Sequence, residues 1–420
     1  MDSTSSPVPT EVGNIKWPPP WVPPPDPDRP PLPYLPGLVL DITEYIPPAP
    51  YYSDQGRPKG ISRDALRSIT HTELVITYPP RESDATTVIA LTPKTATLTI
   101  TNHIAVRDGR GAQIVLCSVV PRGPGPKCEP FTAVAKIFDP LYYSFADKYG
   151  GFRAGPVDVA VAADGNYSQE AAAYEHLQQA GETGSFAPKY YGSWTFSLPI
   201  CHKGVMRNRA VRLILMEYLD GPCMRELCSD PRSLSYDEGY RLSVLAKLLD
   251  GHMRYAQKRL SRRGLLLPEH VILIPGPEWT CAPQPTPRVV LIDYCAAIVD
   301  ERSPRYRLRR ATELPVNPMY AFWAGDRLLD FDGWRPQHWN GNDRPVQEWL
   351  MEEFGGENVS KYLPVREGLE LAPPKYFVGA DSLDFRPLSG KYPPPPRFAD
   401  YVPSRGTAKK DNEGDKASDN

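Results

Sequence analysis

Sixteen of the chain's 50 prolines fall within its first 50 residues. Proline has no backbone N–H to donate and fixes φ, so a stretch this dense in it favours neither a helix nor a central strand. Residues 1–94 are therefore expected to form a largely extended N-terminal extension. Within "PDPDRPPLPYLPG", Pro27, Pro30, Pro33 and Pro36 recur every third residue and align on one edge of a polyproline helix, with Arg29 beside them. That edge suits a proline-reading protein partner. It equally suits a stiff arm lying on its own domain through Trp17, Trp21 and Tyr34. A second proline-rich extension is expected over 357–403, which holds "PPK" and "PPPP". The last stretch, 404–420, has almost no apolar content and is expected to be disordered.

Composition narrows the function classes. Lys+Arg 48 against Asp+Glu 50 leaves a net charge of -2 over 420 residues, so no global field recruits nucleic acid or a membrane surface. The N-terminus lacks a basic-then-apolar leader, and no apolar run approaches the roughly 18 residues that span a bilayer. The expected location is intracellular, in cytoplasm or nucleus. Seven cysteines without a CxxC pair read as free thiols rather than a disulfide framework or zinc site.

Between the extensions, "TATLTITN", "AQIVLCSVV" and "FTAVAKIFD" read as strands. A helix is expected over 169–180, with Ser168 as its N-cap and Gly181 as its stop. The strand "VRLILMEYL" (211–219) follows. A long amphipathic helix is then expected over 236–260, begun by a Ser235-x-x-Glu238 capping box, with Leu242, Leu245, Leu249 and Met253 along one face. Two short strands, "HVILI" (270–274) and "VVLID" (289–293), flank a proline-rich hairpin. Strands come first and helices later, which separates 95–219 from 220–356.

Several residues in this order carry chemistry. Lys136 ends an apolar β-run, from which a lysine can reach phosphate oxygens, although most strand lysines face water. Glu170 shares a helical face with Ala173, Tyr174 and Leu177, whereas Glu175 lies about 140° away at 100° per residue. Only one of the two can face inward with Tyr174 and Leu177; Glu170 is taken as the candidate partner of Lys136, as a kinase-like reading requires, and a solvated first-turn glutamate is the alternative. Gly109 and Gly111 in "DGRGAQIV" stand where a glycine-rich phosphate loop would lie, and a plain hairpin turn explains them as well. Glu217 lies in the strand expected to act as a hinge. Asp293 ends the buried run "VVLID", where a carboxylate can hold magnesium.

The conjunction resembles the protein-kinase-like superfamily, in particular the expanded kinase-like proteins of mushroom-forming fungi, with distant similarity to aminoglycoside and choline kinases. The texture of "VAKIFDPLYY", "YSQEAAAYEHLQ", "PKYYGSWTF", "NPMYAFW" and "GWRPQHW…QEWL" is similar to theirs. The resemblance spans residues 95–356. It implies an α+β, two-lobed protein-kinase-like fold, with a small antiparallel β-rich N-lobe, a mostly helical C-lobe and disordered proline-rich tails. It also implies ATP with magnesium as ligand, held by Lys136, Glu170, Gly109, Gly111 and Glu217, with Asp293 on the metal.

The resemblance breaks at "RRGLLLPEHVILI" (262–274). Aligned on Pro268, Arg263 stands at the histidine of the catalytic loop, Leu265 at its aspartate and His270 at its asparagine. Leucine cannot accept a proton, and imidazole is a poor magnesium ligand. Loss of a positioned base costs around 10²- to 10⁴-fold in rate. Cys295 replaces the glycine of the metal-binding triplet, and the basic run "RYRLRR" (305–310) reads as a solvated strip. The chain is thus expected to be a pseudokinase, a binding or scaffold module with weak ATP affinity. An active atypical phosphotransferase using Glu269 as base is the alternative.

Overall fold

In the computed structural model, which describes residues 21–51, 61–83, 93–123, 129–147, 155–258, 260–262, 266–278, 284–299, 302 and 314–363, the proline-rich beginning supplies a strand. β1 (Val39–Glu44) buries Leu40 and Ile42 and exposes Val39 and Asp41, the alternation of a strand with one buried face. It falls in a proline-free gap between Pro36 and Pro47, so the prolines bound it without interrupting it. The short helices α1 (Arg63–Ser68) and α2 (His71–Thr77) follow, capped by the Ser62 and Thr70 hydroxyls. The described part of the expected extension 1–94 thus contains a strand and two short helices.

The chain divides into two units: Met1–Glu175 with Tyr190–Tyr218, and His176–Lys189 with Leu219–Asn420. In the first, β1 is joined by β2 (Thr95–Ala105), β3 (Gln113–Arg122), β4 (Phe131–Phe138), β5 (Tyr190–His202) and β6 (Val205–Glu217). The antiparallel order β1-β2-β3-β4-β6-β5 closes into a barrel. β1 lies along β2 from Val39↔Thr99 to Thr43↔Thr95 and meets β5 at Thr43↔Thr195 and Glu44↔Trp194. Without it, β2 and β5 would present open edges; with it the sheet closes on itself. This closure overturns the expected two-lobed kinase-like fold with its small β-rich lobe. The reason is the sixth strand, which lies in a segment that proline density had assigned to a tail.

Alternate residues of every strand fill the barrel: Leu98 and Ile100, Val115 and Cys117, Ala133 and Ala135, Phe196, Leu213 and Leu215 are all buried. The arm before β1 is tied down by polar contacts. The Tyr34 hydroxyl donates to Asp139 Oδ2 at 2.5 Å, and Tyr142 donates to the Pro31 carbonyl at 2.9 Å. Asp28 accepts from the Lys203 amide at 2.9 Å, and Trp21 meets Phe145 edge-on at 5.4 Å. Of the two readings of the Pro27–Pro36 stretch, the Trp21 and Tyr34 contacts match the arm docked on its own domain, while Trp17 lies outside the described residues.

In the second unit, α4 (Met224–Ser229) precedes α5 (Glu238–Gln257). Asp237 caps α5 by accepting from the Tyr240 amide at 2.8 Å, whereas Ser235 donates to the Arg232 carbonyl, so the expected Ser235 capping box is not made. The helix stops at Gln257, and Leu260–Arg262 forms β7. Val244, Leu245, Leu248, Leu249 and Met253 of α5 are buried, while Leu242 is half-exposed. β8 (Val271–Ile274) pairs antiparallel with β9 (Arg288–Leu291), and β7 pairs with β10 (Ala297–Val299). The helices α6 (Pro318–Phe322) and α7 (Asp343–Phe354) follow. Of the extension expected over 357–403, the described start forms a 3-10 turn (Gly356–Lys361) and a bridge from Leu363 to Val316; its remainder, the tail 404–420 and the basic run 305–310 lie outside the described residues.

Gly251 gives this unit a sharp test. A Cβ there would lie 2.3 Å from two ring atoms of Phe186. Helix propensity alone favours alanine over glycine by about 1 kcal/mol, yet overpacking costs about 1–3 kcal/mol. Gly251→Ala is expected to lower the urea midpoint, and Gly251→Ala combined with Phe186→Leu to recover part of the loss.

Candidate functional site

In β4, Lys136 lies opposite Ile114 of β3 and Ile214 of β6. Its neighbours Ala135 and Ile137 are buried in the barrel core, so strand alternation turns Lys136 to the other face. There it meets α3 (Val159–Gln179), which starts ten residues before the expected 169. Asp158 caps α3 through the Val161 amide at 3.0 Å. Ser168 lies inside the helix and donates to the Gly165 carbonyl at 3.3 Å, so it is not a cap.

"DGN" (164–166) reads as a helix break, but each of its first two residues has a tertiary use here. Asp164 accepts from Arg81, and a Cβ on Gly165 would sit 3.0 Å from the Tyr51 hydroxyl. Tyr51 also donates to the Val161 carbonyl, and Arg81 lies 4.5 Å over the Tyr51 ring. The N-terminal extension thus clamps the first half of α3.

On that helix Glu170 is buried, and its Oε2 lies 2.6 Å from Lys136 Nζ; the side chains are 1% and 10% exposed. Glu175 is only half-buried. Aromatic rings lie beside the lysine and along the same helix. Phe138 meets Tyr167 at 5.5 Å, Lys136 Nζ stands 5.8 Å over Phe138, and Tyr174 stacks on Tyr190 at 5.4 Å. In so dry a setting the ammonium and carboxylate each need the other.

The loop bearing Gly109 and Gly111 has little left for a phosphate. The Gln113 side chain, fully buried, accepts from the Arg107 amide at 2.8 Å and donates to the Arg107 and Gly111 carbonyls at 3.0 and 2.9 Å. The Gly109 amide donates to the Tyr142 carbonyl at 2.9 Å, and the Arg110 amide to the Arg107 carbonyl at 3.3 Å. A phosphate cradle needs such amides free. From the arm, Arg29 holds Asp108 by two hydrogen bonds of 2.9 and 2.5 Å. Gly109 adopts φ of 69° and Gly111 φ of 110°, which serve the turn between β2 and β3. Gly109 and Gly111 therefore act as turn residues here. Glu217, expected in the nucleotide set, ends β6 opposite Ala133 and is half-buried.

The remaining candidates belong to the second unit. Asp293 has φ of 67°, a left-handed conformation that aspartate tolerates better than most side chains. Its Oδ1 accepts from the Cys295 amide at 3.4 Å, and its Oδ2 lies 3.4 Å from His270 Nε2. His270 is fixed by its carbonyl, which accepts from the Ile292 amide at 2.8 Å. Glu269 turns to Arg225 of α4, whose Nε and Nη2 donate to its Oε2 at 3.1 and 2.6 Å. Although partial burial opposes it, hydrogen bonding and the Arg225 charge hold the Glu269 carboxyl below its ordinary range. Leu265 and Arg263 lie outside the described residues, while Leu266 is buried.

Arg225 and Gln113 went unread in the sequence. Arg225 stands 44 residues from Glu269 and has no local signal. An uncharged polar residue at the head of an apolar run, as in "GAQIVL", was the available sign for Gln113. No protein-family model matches this chain, and no curated protein matches it.

Proposed function

We propose that this chain is a non-catalytic counterpart of the phosphotransferases its segments resemble, and works as a binding module. Glu269 carries the reading: it is the only acid in 262–274, and Arg225 binds its Oε2 and lowers its affinity for protons. A general base must hold a lone pair free at the substrate's hydroxyl near neutral pH. With Oε2 bound by Arg225 and its affinity for protons lowered, this carboxylate is a weaker base than a free glutamate. The same ion pair speaks against the alternative of an atypical enzyme using Glu269.

The residues present also do not fit a tightly held Mg·ATP. Magnesium takes an octahedron of oxygen donors, and the His270 imidazole, a poor magnesium ligand, lies 3.4 Å from the Asp293 carboxylate. The amides of Arg107, Gly109 and Arg110 are engaged within the protein. The Lys136–Glu170 pair fits either reading, since kinase-type enzymes also pair this lysine with a helical glutamate.

ADP release from ATP, with magnesium or manganese, tests the reading. The wild-type chain, Lys136→Ala and Glu269→Gln are all expected at the protein-free background. Turnover in the wild type that both substitutions abolish would establish the enzyme instead.

A further inference from the structure

A cavity of about 440 Å³ opens beside the proline-rich arm, in the first unit. Its volume is that of a small-ligand site. We propose that it binds an organic cation, an alkylammonium or guanidinium group, either free or carried on a side chain.

The balance of donors and acceptors carries this assignment. His71, only 5% exposed, lines the cavity at the start of α2. Its Nε2 lies 2.8 Å from the Pro140 carbonyl. A carbonyl only accepts, so Nε2 holds the proton and Nδ1 of the neutral ring is left as an acceptor. Burial lowers the pKa of this histidine and so favours the neutral ring. Among the described residues Nδ1 has no hydrogen-bond partner.

Asp26 uses one oxygen, Oδ2, to accept from the Thr72 amide at 2.7 Å. Its other oxygen has no partner among the described residues. Asp108 is bound to Arg29, and each of its oxygens keeps a lone pair to spare. Ser144 spends its hydroxyl proton on the Ala146 carbonyl at 2.7 Å.

An anion would find little here. Arg29, the cation of the lining, already makes four hydrogen bonds, two to Asp108 and two to the Leu141 carbonyl. Two carboxylates face one committed guanidinium, which leaves an excess of negative charge and of lone pairs. A ligand rich in N–H donors and positively charged satisfies both. The remaining walls include Tyr143, Phe145, Pro23 and Pro24, which give an alkyl chain apolar contact and the cation an aromatic neighbour.

Calorimetric titration of the full chain with agmatine and with n-butylammonium tests the proposal. Saturable binding is expected for at least one of them. It should weaken at least about tenfold in Asp26→Asn/Asp108→Asn, which keeps an acceptor oxygen for Thr72 and for Arg29 while removing the charge. Asp41→Asn, exposed on β1, should leave it unchanged. If the double variant does not fold, Asp26→Asn alone serves. Tighter binding of an amidated Ala-Arg-Ala peptide than of agmatine would identify a protein side chain as the source, and weaker binding a free small molecule; both retain the cation. Absence of saturable binding, equal binding by the charge-neutralised variant, or binding of butyrate in place of the amines would overturn the proposal.

Discussion

Asp139→Ala is expected to destabilise the barrel unit by about 3–5 kcal/mol, the cost of breaking a buried ion pair from one side. Asp139 has no exposed surface, and its Oδ1 lies 2.5 Å from Arg209 Nη1, whose side chain is 5% exposed. The carboxylate also accepts from the Tyr34 hydroxyl at 2.5 Å and from the Leu141 amide at 3.2 Å. Burial and the neighbouring Asp139 charge push the Tyr34 phenol well above its ordinary range, so it stays protonated and donates. Alanine would strand a guanidinium and a phenol in the protein interior. The cost should appear in urea unfolding, with Asp139→Ala/Arg209→Met far less affected than either single change. Faster hydrogen exchange in residues 29–38 should accompany Asp139→Ala, because Tyr34 fastens the arm. A loss below about 1 kcal/mol would mean that the arm, not the ion pair, holds this corner.

Glu170→Ala is the second large effect, again about 3–5 kcal/mol. It leaves the Lys136 ammonium, 10% exposed, without its carboxylate among aromatic rings. Two further variants separate a structural pair from a ligand-binding one. Lys136→Met/Glu170→Leu replaces both charges by apolar groups of similar volume, and its stability should lie within about 1–2 kcal/mol of wild type. If the pair were kept for a ligand, that double variant would fold equally well but lose binding to whatever the wild type holds. Unfolding of each variant with and without candidate ligands reads both quantities.

Parts of this architecture can be read directly from the residues. The runs that became β4 and β6 are apolar on consecutive positions because one face fills the barrel and the other is also covered; Lys136 is conspicuous for interrupting the first of them. Helical arithmetic lets only one of Glu170 and Glu175 face inward, and the structure pairs Glu170 with Lys136. What was hidden depends on distant partners. β1 is six residues long, set among prolines, and gains its place by pairing with β2, some fifty residues on, and with the more distant β5. The early start of α3 depends on Arg81 and Tyr51 stabilising a sequence that would break a solitary helix. The roles of Gly109 and Gly111 could not be separated by spacing alone, because a phosphate loop and a hairpin both require glycine; the buried Gln113 decides between them.

We propose that Lys136 serves the fold through its pair with Glu170 and that this chain does no chemistry on ATP. Titration of the full chain with Mg·ATP, followed by melting temperature, tests it most directly, because a ligand that binds the native state raises stability by RT ln(1 + [L]/Kd). With ATP at a tenth of Kd that gain is under about 0.1 kcal/mol, so wild type and Lys136→Met should melt within experimental error of their nucleotide-free controls. A rise of several degrees in the wild type, lost in Lys136→Met and accompanied by ADP formation, would contradict the account.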